Sequence, residues 1–196
     1  MPHLIPRWIG AFLCAAAAVW AVIPGDARAV DCRDRKPTTW DIEVAPATEP
    51  GERLVLSGHV VSRAGRAPLA GVTVYVYHAD AKGEYNRPGH EREAPRLCGV
   101  LRTNRGGEYR IRTSMPGGYE GFLPHVHFEV WGPRVQRQML FVNLKPKAVV
   151  MDTSRALLLP GSAPALRDDI TANTRPVYRG EGGVLHCGYD LAVDAR

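Results

Sequence analysis

The chain has 196 residues, 45% of them hydrophobic and 23% charged, with a formal charge of +5. That length supports one domain with a real core and does not require several. Lysines and arginines are scattered among acids, as in Arg33-Asp34-Arg35-Lys36, which excludes the one-sided basic stripe of a nucleic-acid binder.

Residues 1–29 read as a Sec-type signal peptide. Arg7 supplies a positive start, Ile9 to Ile23 an apolar stretch, and Ala27-Arg28-Ala29 an A-x-A cleavage site. A retained membrane anchor is the competing reading, but the stretch is short and alanine-rich for a permanent span. No lipobox precedes Cys14 and no twin arginine is present. Cutting 29 of the 196 residues leaves 167, and loss of Arg7, Arg28 and Asp26 lowers the charge from +5 to +4. The expected location is periplasmic or extracellular, with no stable membrane span once the signal is removed. Export places Cys32, Cys98 and Cys187 in an oxidising compartment, where three thiols allow at most one internal disulfide. Connectivity is not readable from spacing. The expectation adopted is a Cys32–Cys187 bridge tying the two chain ends together, with Cys98 free.

Residues 30–51 are polar and proline-bearing and read as an N-terminal arm, followed by a single domain over 52–196. A first strand runs from Leu54 to Val61, and the Gly-, Pro- and Arg-rich stretch from Ser62 to Gly71 is a turn region. Val72 to Tyr77 is β-branched and aromatic throughout, a second strand, closing in a polar loop that ends on Tyr85. Gly99 to Thr103 and Tyr109 to Thr113 are further strands, the latter alternating apolar and charged so that one face is wet. Tyr109 fits the core side.

Pro116-Gly117-Gly118 then breaks the chain and delivers Tyr119, followed by a strand built on His125-Val126-His127. Alternate strand residues share a face, so His125 and His127 project together, while Val126, Phe128 and Val130 face a core. Two same-face imidazoles are half of a metal site. On its own the pair also fits two partly buried, hydrogen-bonded histidines. Gln138 to Val142 is another strand and Val184 to Val193 the last. Between them, Asn143 to Gly183 loses regular patterning, although Leu157 to Leu159 could pack and Asp168-Asp169 could open a helical turn. Many short strands with Gly/Pro turns and almost no helix give an all-β fold, a β-sandwich of two sheets with long connecting loops.

The order Gly-x-Tyr at Gly83 to Tyr85, Pro-Gly-x-Tyr at Pro116 to Tyr119, and Pro-His-x-His-Phe at Pro124 to Phe128 resembles the intradiol ring-cleavage dioxygenases, the protocatechuate and catechol dioxygenase family. Gln138-Met139-Leu140-Phe141 is similar to that family's Gln-x-x-Phe strand, and the resemblance covers roughly residues 52 to 142. It implies that Tyr85, Tyr119, His125 and His127 bind a non-haem ferric ion, Fe(III). It further implies that Tyr119 is a releasable ligand and base, and that Gln138 belongs to the catalytic set. Hard phenolate oxygens suit a hard ferric ion, and a bound cation lowers a phenol's pKa enough for it to ligate as phenolate. Two phenolates and two neutral imidazoles leave one net positive charge, which favours ferric over ferrous iron. The implied reaction cleaves a catechol-type aromatic between its hydroxyls with O2, giving a muconate-type product. A homo-oligomer is compatible with this reading.

Two departures stand out. The family usually carries an arginine three residues before the first histidine, where this chain has Phe122, and the Tyr119-to-His125 connection is short beside the large cytoplasmic members, though compact members share that length. The helical N-terminal dimerisation region of catechol dioxygenases is also missing. Glu129 shares the histidine face but falls outside the implied ligand set, and His59, His78, His90 and His186 have no partner pattern. The alternative from another class is a non-catalytic binding module. The segment from Val60 to Val74, through Gly65 and Pro68 to Gly71, also looks like transthyretin-like and carboxypeptidase-regulatory-like sandwiches.

Overall fold

The computed structural model describes residues 31–86, 88–89, 94–146 and 173–196. The expected signal peptide, Cys14, His90, Leu157 to Leu159 and Asp168-Asp169 lie outside the described residues. Among the described residues ten strands follow one another: β1 (Asp41–Glu43), β2 (Arg53–Ser62), β3 (Thr73–His78), β4 (Leu97–Arg102), β5 (Glu108–Ser114), β6 (His125–Gly132), β7 (Val135–Pro146), β8 (Thr174–Arg179), β9 (Leu185–Gly188) and β10 (Leu191–Val193). The fold is all-β as expected. No helix among the described residues is long and apolar enough to cross a membrane.

The strand order is β1-β5-β2-β9-β8-β7-β6-β3-β4, with β10 alongside β2. The two layers of the sandwich are therefore continuous through β8, which pairs with β7 on one side and β9 on the other. Between the layers lies one core. Leu54, Leu56, Tyr109 and Ile111 of one layer meet Val74, Val76, Val126, Phe128 and Val130 of the other. The Tyr109 and Phe128 rings touch edge to face at 6.1 Å, and the Tyr109 hydroxyl donates to the Tyr189 carbonyl. Burial of such side chains is the main driving force for the fold, at roughly 1.5–3 kcal/mol for each large one.

Two strands escaped the sequence reading. β1 is three residues of the arm, paired in parallel with β5, and β8 lies in the stretch without regular patterning. The expected last strand is two, β9 and β10, with Tyr189 and Asp190 between them.

The expected Cys32–Cys187 bridge is not formed. Cys32 pairs with Cys98, their Cα atoms 5.9 Å apart, and Cys187 is free and buried. The topology explains this. The arm opens with a 3-10 turn at Cys32–Asp34, packed against β4 at the edge of its sheet. Cys187 lies on β9, enclosed between β2 and β8, out of the arm's reach.

Candidate metal centre

β6 is the central element of the candidate site. It lies between β3 and β7, with Tyr77 opposite His127 on one side and Phe141 opposite it on the other. Val126, Phe128 and Val130 are almost fully buried in the core. His125 and His127 emerge on the outer face, as strand alternation requires.

The tyrosines arrive on two loops. Tyr85 lies within the loop between β3 and β4, and Tyr119 within the loop between β5 and β6. Tyr119 and Phe122 bracket a tight two-residue turn in which the Phe122 N–H donates to the Tyr119 carbonyl at 2.7 Å. Glu120 and Gly121 fill it with φ of +48° and +83°, left-handed values that glycine adopts freely and glutamate with strain.

Four donor atoms converge. The Tyr85 oxygen stands 3.2 Å from that of Tyr119, 3.4 Å from His125 Nε2 and 3.1 Å from His127 Nε2, and the Tyr119 oxygen is 3.3 Å from His125 Nε2. His125 Nδ1 lies 2.7 Å from the Leu123 carbonyl. A carbonyl only accepts, so Nδ1 carries the proton in the neutral ring and Nε2 presents a lone pair to the phenols. The Tyr77 ring stacks on His127 at 4.7 Å with 10° between planes, which fixes the imidazole from its flank.

Burial, with smaller contributions from His125 and His78, pushes His127 down to about 4, so it is neutral near pH 7. Burial and the Tyr119 hydroxyl hold the Tyr85 phenol well above its ordinary value. Without a cation the cluster therefore keeps its Tyr85 proton.

The donor set fits a small, highly charged cation. Donors sharing one metal at about 2 Å stand roughly 3 Å apart, as these do. No group of three or more His, Cys, Asp or Glu side chains suited to a metal occurs among the described residues.

Gln138, expected in the catalytic set, does not join it. It pairs with Val130, five ladder positions along β7 from Asn143, the partner of His125, or roughly 17 Å at strand rise. Its amide instead accepts from the Asp194 N–H at 3.1 Å and donates to the Asp194 carbonyl at 3.0 Å, closing the C-terminal segment on β7. Glu129, on the histidine face, forms an ion pair with Arg137 at 3.0 Å. A recess of about 330 Å³ elsewhere, lined by Ser57, Arg66, Arg175 and Asp190 among others, includes none of the four donors, and Arg66 there is already paired with Asp190.

Sequence reasoning missed Tyr77, which lies in register with His127, Asp80, whose carboxylate accepts from the Lys82 and Glu84 N–H groups and whose carbonyl accepts from the Gly117 N–H, and Arg96, which pairs with Asp80. Phe122 stands at the rim, half exposed, its ring 5.8 Å from Tyr119 and 6.3 Å from His125.

Comparison with known proteins bears on this arrangement. A family model described as Dioxygenase matches residues 35–156, more than half of the chain. The chain is 29% identical over 138 residues to catechol 1,2-dioxygenase 2 of Acinetobacter lwoffii, covering 61% of this chain and 50% of that protein. It is 33% identical over 162 residues to the protocatechuate 3,4-dioxygenase beta chain of Burkholderia cepacia, covering 74% and 66%. It therefore spans about half to two thirds of the length of these curated relatives. Among solved structures, the dioxygenase domain of a dioxygenase–carbohydrate-binding fusion from Streptomyces sp. SirexAA-E superposes with a TM-score of 0.57 at 26% identity, covering 83% of this chain and 93% of that one.

Proposed function

The chain belongs to the intradiol ring-cleavage dioxygenase family, and from that premise we propose that it is an exported enzyme that holds non-haem Fe(III) on Tyr85, Tyr119, His125 and His127 and cleaves a catechol-type aromatic between its hydroxyls with O2. The observation that carries the reading is the convergence of two phenols and two imidazoles, with four donor pairs at 3.1–3.4 Å. A ferric ion held by these four side chains would supply Lewis acidity toward a catechol's oxygens.

The protein's own residues divide the remaining work. The Leu123 carbonyl holds the proton of His125 on Nδ1, and Tyr77 keeps His127 in orientation. The Tyr119 oxygen, at the rim, is the atom assigned to receive a proton from a catechol hydroxyl. Phe122 offers an apolar wall to the entering ring. The disulfide in the arm supports export, since such bonds persist in oxidising compartments.

A visible spectrum of the iron-loaded protein tests the reading. Tyrosinate-to-iron charge transfer colours the wild type red to burgundy, catechol shifts the band, and O2 is consumed as a muconate-type product forms. His125→Ala and His127→Ala each lose the iron. Full iron stoichiometry in both variants sinks the assignment.

A further inference from the structure

Tyr85 and Tyr119 sit on separate loops, yet one residue's backbone serves both. Asp80 Oδ1 accepts from the N–H groups of Lys82 at 2.9 Å and Glu84 at 3.1 Å, which shapes the loop leading to Tyr85. The Asp80 carbonyl accepts from the Gly83 N–H at 3.0 Å and also from the Gly117 N–H at 2.8 Å. Gly117 lies two residues before Tyr119. The loops press together so closely that side chains are excluded. A Cβ on Gly117 would lie 2.4 Å from the Ala81 carbonyl oxygen, and one on Gly83 would lie 2.8 Å from that of Gly118.

Arg96 closes this arrangement. Its backbone N–H donates to the Tyr85 carbonyl at 3.0 Å, and its Nη2 donates to Asp80 Oδ2 at 3.1 Å. The same guanidinium grips Glu49 of the N-terminal arm with both nitrogens, at 2.7 and 2.9 Å. The Glu49 side chain is 9% exposed and that of Asp80 17%. A two-pronged, largely desolvated pairing of this kind is stronger and more geometrically exacting than an open surface ion pair.

We propose that Arg96, held between Glu49 and Asp80, is the positioning residue that sets the separation of the Tyr85 and Tyr119 phenol oxygens, so that Glu49 alone of the arm supports the metal site through it. Arg96 touches none of the four donors. The inference rests on the ferric reading of the site. It differs from a merely stabilising ion pair in what its loss changes.

Arg96→Met keeps the apolar stem and removes the fork, Arg96→Lys keeps the charge, and Arg53→Met is the control. Arg53 fastens the same arm through the Ala45 and Pro46 carbonyls, both at 2.9 Å, and through Glu43, without contacting either tyrosine loop. Ferric affinity is measured by chelator competition, alongside the charge-transfer band and thermal unfolding. Arg96→Met is expected to weaken iron binding 10–100-fold, the usual effect of removing an outer-shell support, and to move the band. Arg96→Lys falls between, because one ammonium cannot grip both carboxylates in plane. Arg53→Met lowers the melting temperature and leaves affinity and band unchanged.

Wild-type affinity and band in Arg96→Met overturn the proposal, as does equal weakening in Arg53→Met. Should Arg96→Met not fold, Glu49→Gln gives a smaller loss of the same sign, and wild-type behaviour there overturns the proposal equally. If the wild type takes up no ferric ion, the functional reading fails and crystal structures decide this one. The 3.2 Å separation of the phenol oxygens persisting unchanged in metal-free Arg96→Met or Glu49→Gln refutes it.

Discussion

The two tyrosine loops reach the same point by different means. The Tyr85 loop is fastened by charged and buried side chains: the Asp80 carboxylate, the Arg96 fork and, at its root, His78. The Tyr119 loop is held mostly by backbone groups, through the Gly117 N–H on the Asp80 carbonyl and the tight turn closing on Phe122, with the His125 ring donating to the Leu123 carbonyl. The Tyr85 oxygen also lies within reach of all three other donors, whereas that of Tyr119 has contacts with two. One phenol is built into the scaffold and the other is presented from a rim. The proposed role of Tyr119, yielding its place to substrate and accepting a proton, would suit the lighter of the two mounts.

The largest expected effect tests this asymmetry directly. Tyr85→Phe should weaken ferric binding by more than about 100-fold, beyond what outer-shell losses cost, and Tyr119→Phe by distinctly less. Equal losses, read by iron stoichiometry under the same chelator, would break the comparison.

A smaller effect concerns the root of the Tyr85 loop. His78 is fully buried, its Nδ1 donating to the Ala79 carbonyl and its Nε2 accepting from the Thr113 hydroxyl, both at 2.7 Å. Burial depresses it from 6.5 to about 4. Between those values the unfolded chain binds the proton that the folded protein refuses, so stability falls as pH drops through the window. At pH 5 the loss from this one group is about 2 kcal/mol. Denaturant titrations from pH 7 to pH 4 should show that slope, and His78→Asn should be less stable at pH 7 but flatter across the range. An undiminished slope in the variant assigns the acid sensitivity elsewhere.

The asymmetry of the loops also marks where sequence reading succeeds. Same-face projection of His125 and His127 follows from strand alternation, whereas joining Tyr85 and Tyr119 to them rests on the resemblance of their glycine- and proline-bearing motifs to a known family. Gln138 failed because ladder register, not motif order, decides what lies beside His125, and the register places Asn143 there. The Cys32–Cys98 bridge was hidden because it depends on the arm folding over β4, a long-range event with no local signal. β8 was obscured by its own sequence, Thr174-Arg175-Pro176-Val177-Tyr178-Arg179, where only Val177 is buried. The Arg96 clamp joins residues 47 positions apart, and its partners each look like ordinary surface charge when read along the chain.

The rim position of Phe122 gives the finest test of the comparison. Its ring is half exposed and borders Tyr119 and His125 without a polar atom to offer. An aromatic wall of this kind contributes about 0.5–1.5 kcal/mol to holding another ring, but does nothing for charge that develops during cleavage. A preorganised donor at such a place typically changes rate by about 10²–10³. An arginine introduced on the short Tyr119–Phe122 turn would not be preorganised, because the turn is held by backbone and offers it no bracing partner among the described contacts. Phe122→Arg is therefore expected to raise catechol turnover by about tenfold at most, with the catechol binding constant, read from the shift of the charge-transfer band, changing less than about threefold. A wild-type enzyme already as fast as the variant would mean that another group stabilises the developing charge and that Phe122 serves only as a wall of the pocket.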